Sequence, residues 1–125
     1  MYRILIASVA VSLGIAGGVL AGPAHVVQAE AQRTGTSGDM GIWRFDVTLR
    51  HADTGWDHYA NAWRVLDAEG AELGTRTLYH PHVEEQPFTR SLSGVRIPAG
   101  TCTVLIEAVD SVHGANSERY SLDLC

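Results

Sequence analysis

The chain contains no lysine; its nine basic residues are all arginine, against fourteen acids, for a formal net charge of −5. An acidic surface of this kind offers no electrostatic footprint for a nucleic-acid backbone or an anionic lipid surface. Cysteine is scarce, at two residues, Cys102 and Cys125, which excludes a Cys-rich metal cluster and leaves one bridge at most. Helical periodicity is missing, as is any run of glycines spaced to cradle a phosphate. No serine lies in a Gly-x-Ser-x-Gly turn, and Cys102 is expected to point inward, so no activated nucleophile can be assembled. Adjacent acids such as Glu84 and Glu85 would face opposite ways on a strand, which argues against a paired-carboxylate mechanism. A non-enzymatic protein is expected.

The one long apolar run is at the start. Arg3 precedes a stretch from Ile4 to Leu20 without any charge, and Gly22-Pro23 breaks it. This is the layout of a secretory signal peptide, with Val27-Gln28-Ala29 supplying an acceptable cleavage site after Ala29. Cuts after Ala31 or after Ala24 are alternatives, the latter leaving His25 as first residue. An uncleaved anchor is the competing reading, since the run approaches membrane-spanning length. Pro23 follows Gly22 where a lipid-bearing cysteine would be needed. The expected organisation is a signal peptide over 1–29, a flexible glycine-rich leader over 30–41 and a folded domain over 42–125. Removing 29 of the 125 residues leaves 96 and a net charge of −6, enough for one small core. The location expected is the periplasm, with no stable membrane association after signal removal. An oxidising compartment permits Cys102 and Cys125 to pair.

Within the domain the pattern is that of short strands. Trp43, Phe45, Val47 and Leu49 alternate with Arg44, Asp46, Thr48 and Arg50, the period of a half-buried strand. Further strands are predicted over 59–66, 73–79, 88–97, 101–109 and 119–124, separated by turn signals such as Asp67-Ala68-Glu69-Gly70 and Pro98-Ala99-Gly100. A seventh strand could come from the leader. The expected fold is a single all-β, immunoglobulin- or fibronectin-III-like sandwich of six to seven antiparallel strands. Its predicted core is Trp43, Phe45, Val47, Leu49, Trp63, Val65, Val104, Ile106 and Leu122. In the last hairpin, hydrophobic matching favours pairing Val104 with Leu122 and Ile106 with Tyr120, which sets Cys102 opposite Leu124. A frayed end could still bring the sulfur of Cys125 back to Cys102.

Histidine is what the chain has in excess. After signal removal His51, His58, His80, His82 and His113 remain, each at a strand end or in a loop. Residues two apart on an extended segment share a side, so His80 and His82 can present two imidazoles to one ion. Imidazole is the commonest ligand of zinc and copper. A site of His80, His82 and His113 with help from His58 is expected, and His51, Asp57, Asp110 and Arg90 are expected either to hold those imidazoles in place or to serve as alternative ligands. Asp53 and Asp57 have two readings, orienting imidazoles or bonding turn amides, and Arg90 is expected to make a bidentate bond to Glu85 or Asp110.

The stretches His-Ala-Asp-Thr-Gly-Trp-Asp-His-Tyr-Ala (51–60), His-Pro-His-Val-Glu-Glu-Gln-Pro-Phe-Thr-Arg-Ser-Leu-Ser-Gly-Val (80–95) and Asp-Ser-Val-His-Gly (110–114) resemble a family of small, signal-bearing proteobacterial proteins of unassigned function. The resemblance covers nearly all of the domain and implies a whole single-domain member. It brings no activity with it. Metal-carrying periplasmic sandwiches of the copper-resistance type are similar in architecture alone. From the placement of the histidines at loop ends beside acids, the partner expected is a zinc or copper ion or, as the alternative, another envelope protein docking on structural histidine loops.

Overall fold

A computed structural model describes residues 22–125; the apolar run 4–20 of the expected signal lies outside them. The described residues form eight strands and no helix: β1 (His25–Ser37), β2 (Met40–Arg50), β3 (Ala60–Leu66), β4 (Glu72–Thr77), β5 (Phe88–Pro98), β6 (Thr103–Asp110), β7 (Gly114–Ala115) and β8 (Tyr120–Asp123). They make two antiparallel sheets, β1-β2-β5 and β4-β3-β6, with β7 and β8 both pairing β6. The protein is an all-β sandwich, as its alternating pattern requires.

The core follows from that alternation. Phe45, Val47 and Leu49 of β2 are buried against Trp63 and Val65 of β3 and Val104 and Ile106 of β6. Trp43 and Leu122, expected inside, are only partly buried at the margin of this cluster. Phe88, Val95 and Ile97 complete it from β5. The inward face of β5 changes along its length: between Leu92 and Val95 the strand carries one residue more than β2 opposite it, with Gly94 at φ 74°. This β-bulge swaps the inward face midway along the strand. Glu107 of β6 is a buried acid, capped by Arg64 and Arg119.

Residues 30–41 are not a flexible leader. Residues 25–37 form the longest strand, paired with β2 from His25↔Arg50 to Ser37↔Met40. Gly38 and Asp39 close this hairpin, with Gly38 at φ 61°, a conformation that glycine adopts without steric cost. Polar side chains hid the strand because most of β1 is exposed; Ala29 is its one buried residue.

The β6–β8 hairpin has the register that hydrophobic matching predicts, Val104↔Leu122 and Ile106↔Tyr120. The Leu124 amide donates to the Cys102 carbonyl at 2.7 Å. Cys125, one residue beyond, turns back and forms the disulfide with Cys102. Cys102 is exposed rather than inward-pointing.

Every histidine-bearing segment lies at one end of the sandwich. The pairings Leu49↔Phe88, Ala60↔Asp110 and Ala62↔Thr77 bring together the β2–β3, β4–β5 and β6–β7 connections, and His25↔Arg50 adds the start of β1. The disulfide marks the opposite end.

Candidate metal centre

Asp110, the last residue of β6, is the hub. Its side chain is fully buried, and its Oδ2 accepts from His58 Nε2 at 2.6 Å and from His113 Nδ1 at 2.9 Å. The backbone amides of His113 and Val112 donate to the same oxygen at 3.3 and 3.4 Å. Burial alone pushes this carboxyl up; the His113 side chain and amide, His58 and the Val112 amide outweigh it and hold the group below its usual value. Asp110 is thus a buried carboxylate, and its Oδ1 has no hydrogen-bond partner.

His51 approaches from the end of β2. Its Nε2 is 3.7 Å from Asp110 Oδ2, and its ring lies 4.8 Å from that of His58, edge to face. Ligand atoms of His51, His58 and Asp110 all fall within 4.8 Å of one another. The His58 and His113 rings are 5.0 Å apart. Both nitrogens of His51 face acceptors: Nδ1 meets Asp53 Oδ1 at 2.5 Å, and Nε2 meets the Gly22 carbonyl at 2.9 Å.

Local chemistry explains how these loops hold their shape. The Thr54 amide donates to the His58 carbonyl and the His58 amide to the Gly55 carbonyl, a tight turn that needs Gly55 at φ 148°. It directs His58 inward and Trp56 out to 67% exposure. Asp53 serves both of the roles open to it. Besides orienting His51, its Oδ1 accepts the Ala60 amide at 3.0 Å and its Oδ2 the His82 amide at 2.7 Å. Gln86 ties the same two loops, accepting from the His51 amide and donating to the His82 carbonyl. Asp57 is exposed and takes no part.

The expected pairing of His80 and His82 with His113 does not form a site. The two rings are neighbours, 4.7 Å apart, as their spacing implies. His82, however, is buried and stacked on Phe88 at 3.9 Å and 8°. Its Nε2 accepts from Arg90 Nη2 at 2.9 Å, so the lone pair a metal would need is occupied. Burial, then the Arg90 and His80 charges, lower the proton affinity of His82 and keep it neutral. Arg90 also donates once to Glu85 at 3.1 Å; the bond is single, and Asp110 is not its partner. His80 is exposed, bonded to the Pro81 carbonyl. Of the expected ligands, His58 and His113 converge; His51 and Asp110, expected as alternatives, take the central places.

No protein-family model matches the chain, and no solved structure does. A curated protein of Halomicrobium mukohataei described as a "Putative lipoprotein" is 40% identical over 79 residues. The match covers 63% of this chain but only 38% of that relative's length.

Proposed function

We propose that the protein is a non-catalytic binding protein of the cell envelope that holds one transition-metal ion, zinc or copper, through His51, His58 and Asp110, with His113 beside them. The observation that carries this is the convergence of two imidazoles on a buried, ionised carboxylate. Two imidazoles, one carboxylate and an open fourth position suit a borderline divalent ion. Ligands about 2.0–2.1 Å from a tetrahedral ion stand roughly 3.3 Å apart. The His58–Asp110 pair at 2.6 Å would open by a fraction of an ångström, and the His51–Asp110 pair at 3.7 Å would close by less. The envelope location is supported by the lipoprotein description of the Halomicrobium mukohataei relative and by the charge-free run 4–20. Pro23 stands where lipid attachment would need cysteine, so a periplasmic, unlipidated form is part of the proposal.

Equilibrium dialysis against zinc and cupric ions tests it. One ion per chain is expected, lost in His58→Ala and retained in His80→Ala. No stoichiometric uptake at micromolar ion would overturn the reading, and loss in His80→Ala alone would return the site to the His80–His82 pair.

A second reading rests on a different observation. Trp56, Tyr79, Val83 and Val112 project from the three loops at this end, Tyr79 at 74% exposure. Such a rim suits an envelope partner docking on loops that the Asp110 and Asp53 hydrogen bonds make rigid. Pull-down of one envelope protein by the wild type but not by a Trp56→Ala, Tyr79→Ala double variant, unaffected by chelator, would favour it.

A further inference from the structure

The three residues ahead of β1 belong to the folded domain. Ala24 is fully buried, and its carbonyl accepts from Asn116 Nδ2 at 2.9 Å. The Gly22 carbonyl accepts from His51 Nε2 at 2.9 Å. A cut after Ala24 would leave His51 and the buried Asn116 without these acceptors. A cut after Ala29 or Ala31 would strip the first half of β1 from β2 and uncover Leu49 and Val47, both fully buried. Val19-Leu20-Ala21 carries the same valine at −3 and alanine at −1 as Val27-Gln28-Ala29, and it directly ends the apolar run. A cut there keeps the Gly22 and Ala24 carbonyls and all of β1 in the mature chain.

We infer that the leader is removed after Ala21, that Gly22 becomes the first residue, and that its α-amino nitrogen joins the histidine centre as a further donor. The second half rests on the metal reading above. Covalent geometry holds the nitrogen of Gly22 within about 3.6 Å of its own carbonyl oxygen. That oxygen already touches His51 Nε2, so the amine cannot lie far from the centre. A terminal amine and the carbonyl oxygen of the same residue close a five-membered chelate on a divalent ion. Gly22 therefore offers an ion replacement contacts for the hydrogen bond that His51 would give up.

The full chain, expressed with its own leader and recovered from the envelope fraction, provides the first test through its intact mass and amino-terminal sequence. A start at Gly22 is expected; a start at His25, Glu30 or Gln32, or an uncut chain, overturns the proposal. The second test exploits the absence of lysine. The α-amino group is the only amine in the processed chain, so an amine-directed acetylating reagent has one target. Acetylation is expected to weaken zinc or cupric binding at least as much as losing an outer-shell partner does, roughly tenfold. Unchanged affinity overturns the role of the amine while leaving the metal site standing. Failure of the unacetylated protein to bind either ion overturns the metal reading and the role of the amine together, and the cleavage position is then judged by the mass alone.

Discussion

Replacing Asp53 with asparagine keeps the shape of the side chain and removes its charge. The carboxylate accepts three hydrogen bonds, from His51 Nδ1 and the Ala60 amide at Oδ1 and from the His82 amide at Oδ2. Asparagine has one acceptor oxygen. Placed at Oδ1, it turns its NH2 toward the His82 amide, donor against donor; placed at Oδ2, it sets the NH2 against both His51 and Ala60. The first orientation is the less costly and still strands one buried amide, worth about 1–3 kcal/mol, while weakening the two remaining charge-assisted bonds. Asp53→Asn should therefore destabilise by about 2–4 kcal/mol, a large share of the roughly 5–15 kcal/mol available to a domain. In thermal unfolding this corresponds to a fall in Tm of about 10 °C or more. Urea unfolding with an unchanged slope and a lower midpoint is the expected signature. Asp57→Asn, at an exposed position one turn away, is the control and should stay within about 0.5 kcal/mol of wild type. A loss from Asp53→Asn as small as that of the control would refute the view that one carboxylate locks the two loops together.

Ile106→Ala removes a fully buried side chain from the centre of β6 and should cost about 2–5 kcal/mol in a denaturant titration. Glu107 gives a pH signature: burial raises its proton affinity, but hydrogen bonds from Arg119 and Arg64 overcome that and hold it below its reference value of 4.5. The unfolded chain then binds the proton more readily, so this stabilisation is present above about pH 4.5 and is lost as the pH falls through the depressed folded value. Glu107→Gln should flatten that acid limb; identical slopes for the two proteins would refute the assignment. The Cys102–Cys125 bridge spans a sequence separation of 23, and Cys102→Ser with Cys125→Ser should cost about 3 kcal/mol by loop closure. Alkylation without reductant should add no mass to the wild type.

The strict alternation from Trp43 to Arg50 determines β2 and its buried face, because a period of two has one inward side. Apolar matching determines the β6–β8 register, since a slip of one residue would turn Val104 and Ile106 out of the core. The spacing of His80 and His82 places their rings side by side. What spacing does not contain is the occupancy of a lone pair: Arg90 and Phe88 reach His82 from β5 and remove it from ligand chemistry. The centre at Asp110 is likewise tertiary. Asp110 lies 52 residues from His58 in the chain, and it meets His51 and His58 because antiparallel pairing brings the ends of β2, β3 and β6 to one end of the sandwich. The strand β1 is tertiary for another reason. Its residues are polar on most positions, and the face it packs on the core is only Val26, Ala29 and Ala31, too sparse and small to stand out as a sequence pattern, so the strand is revealed by its backbone pairing with β2.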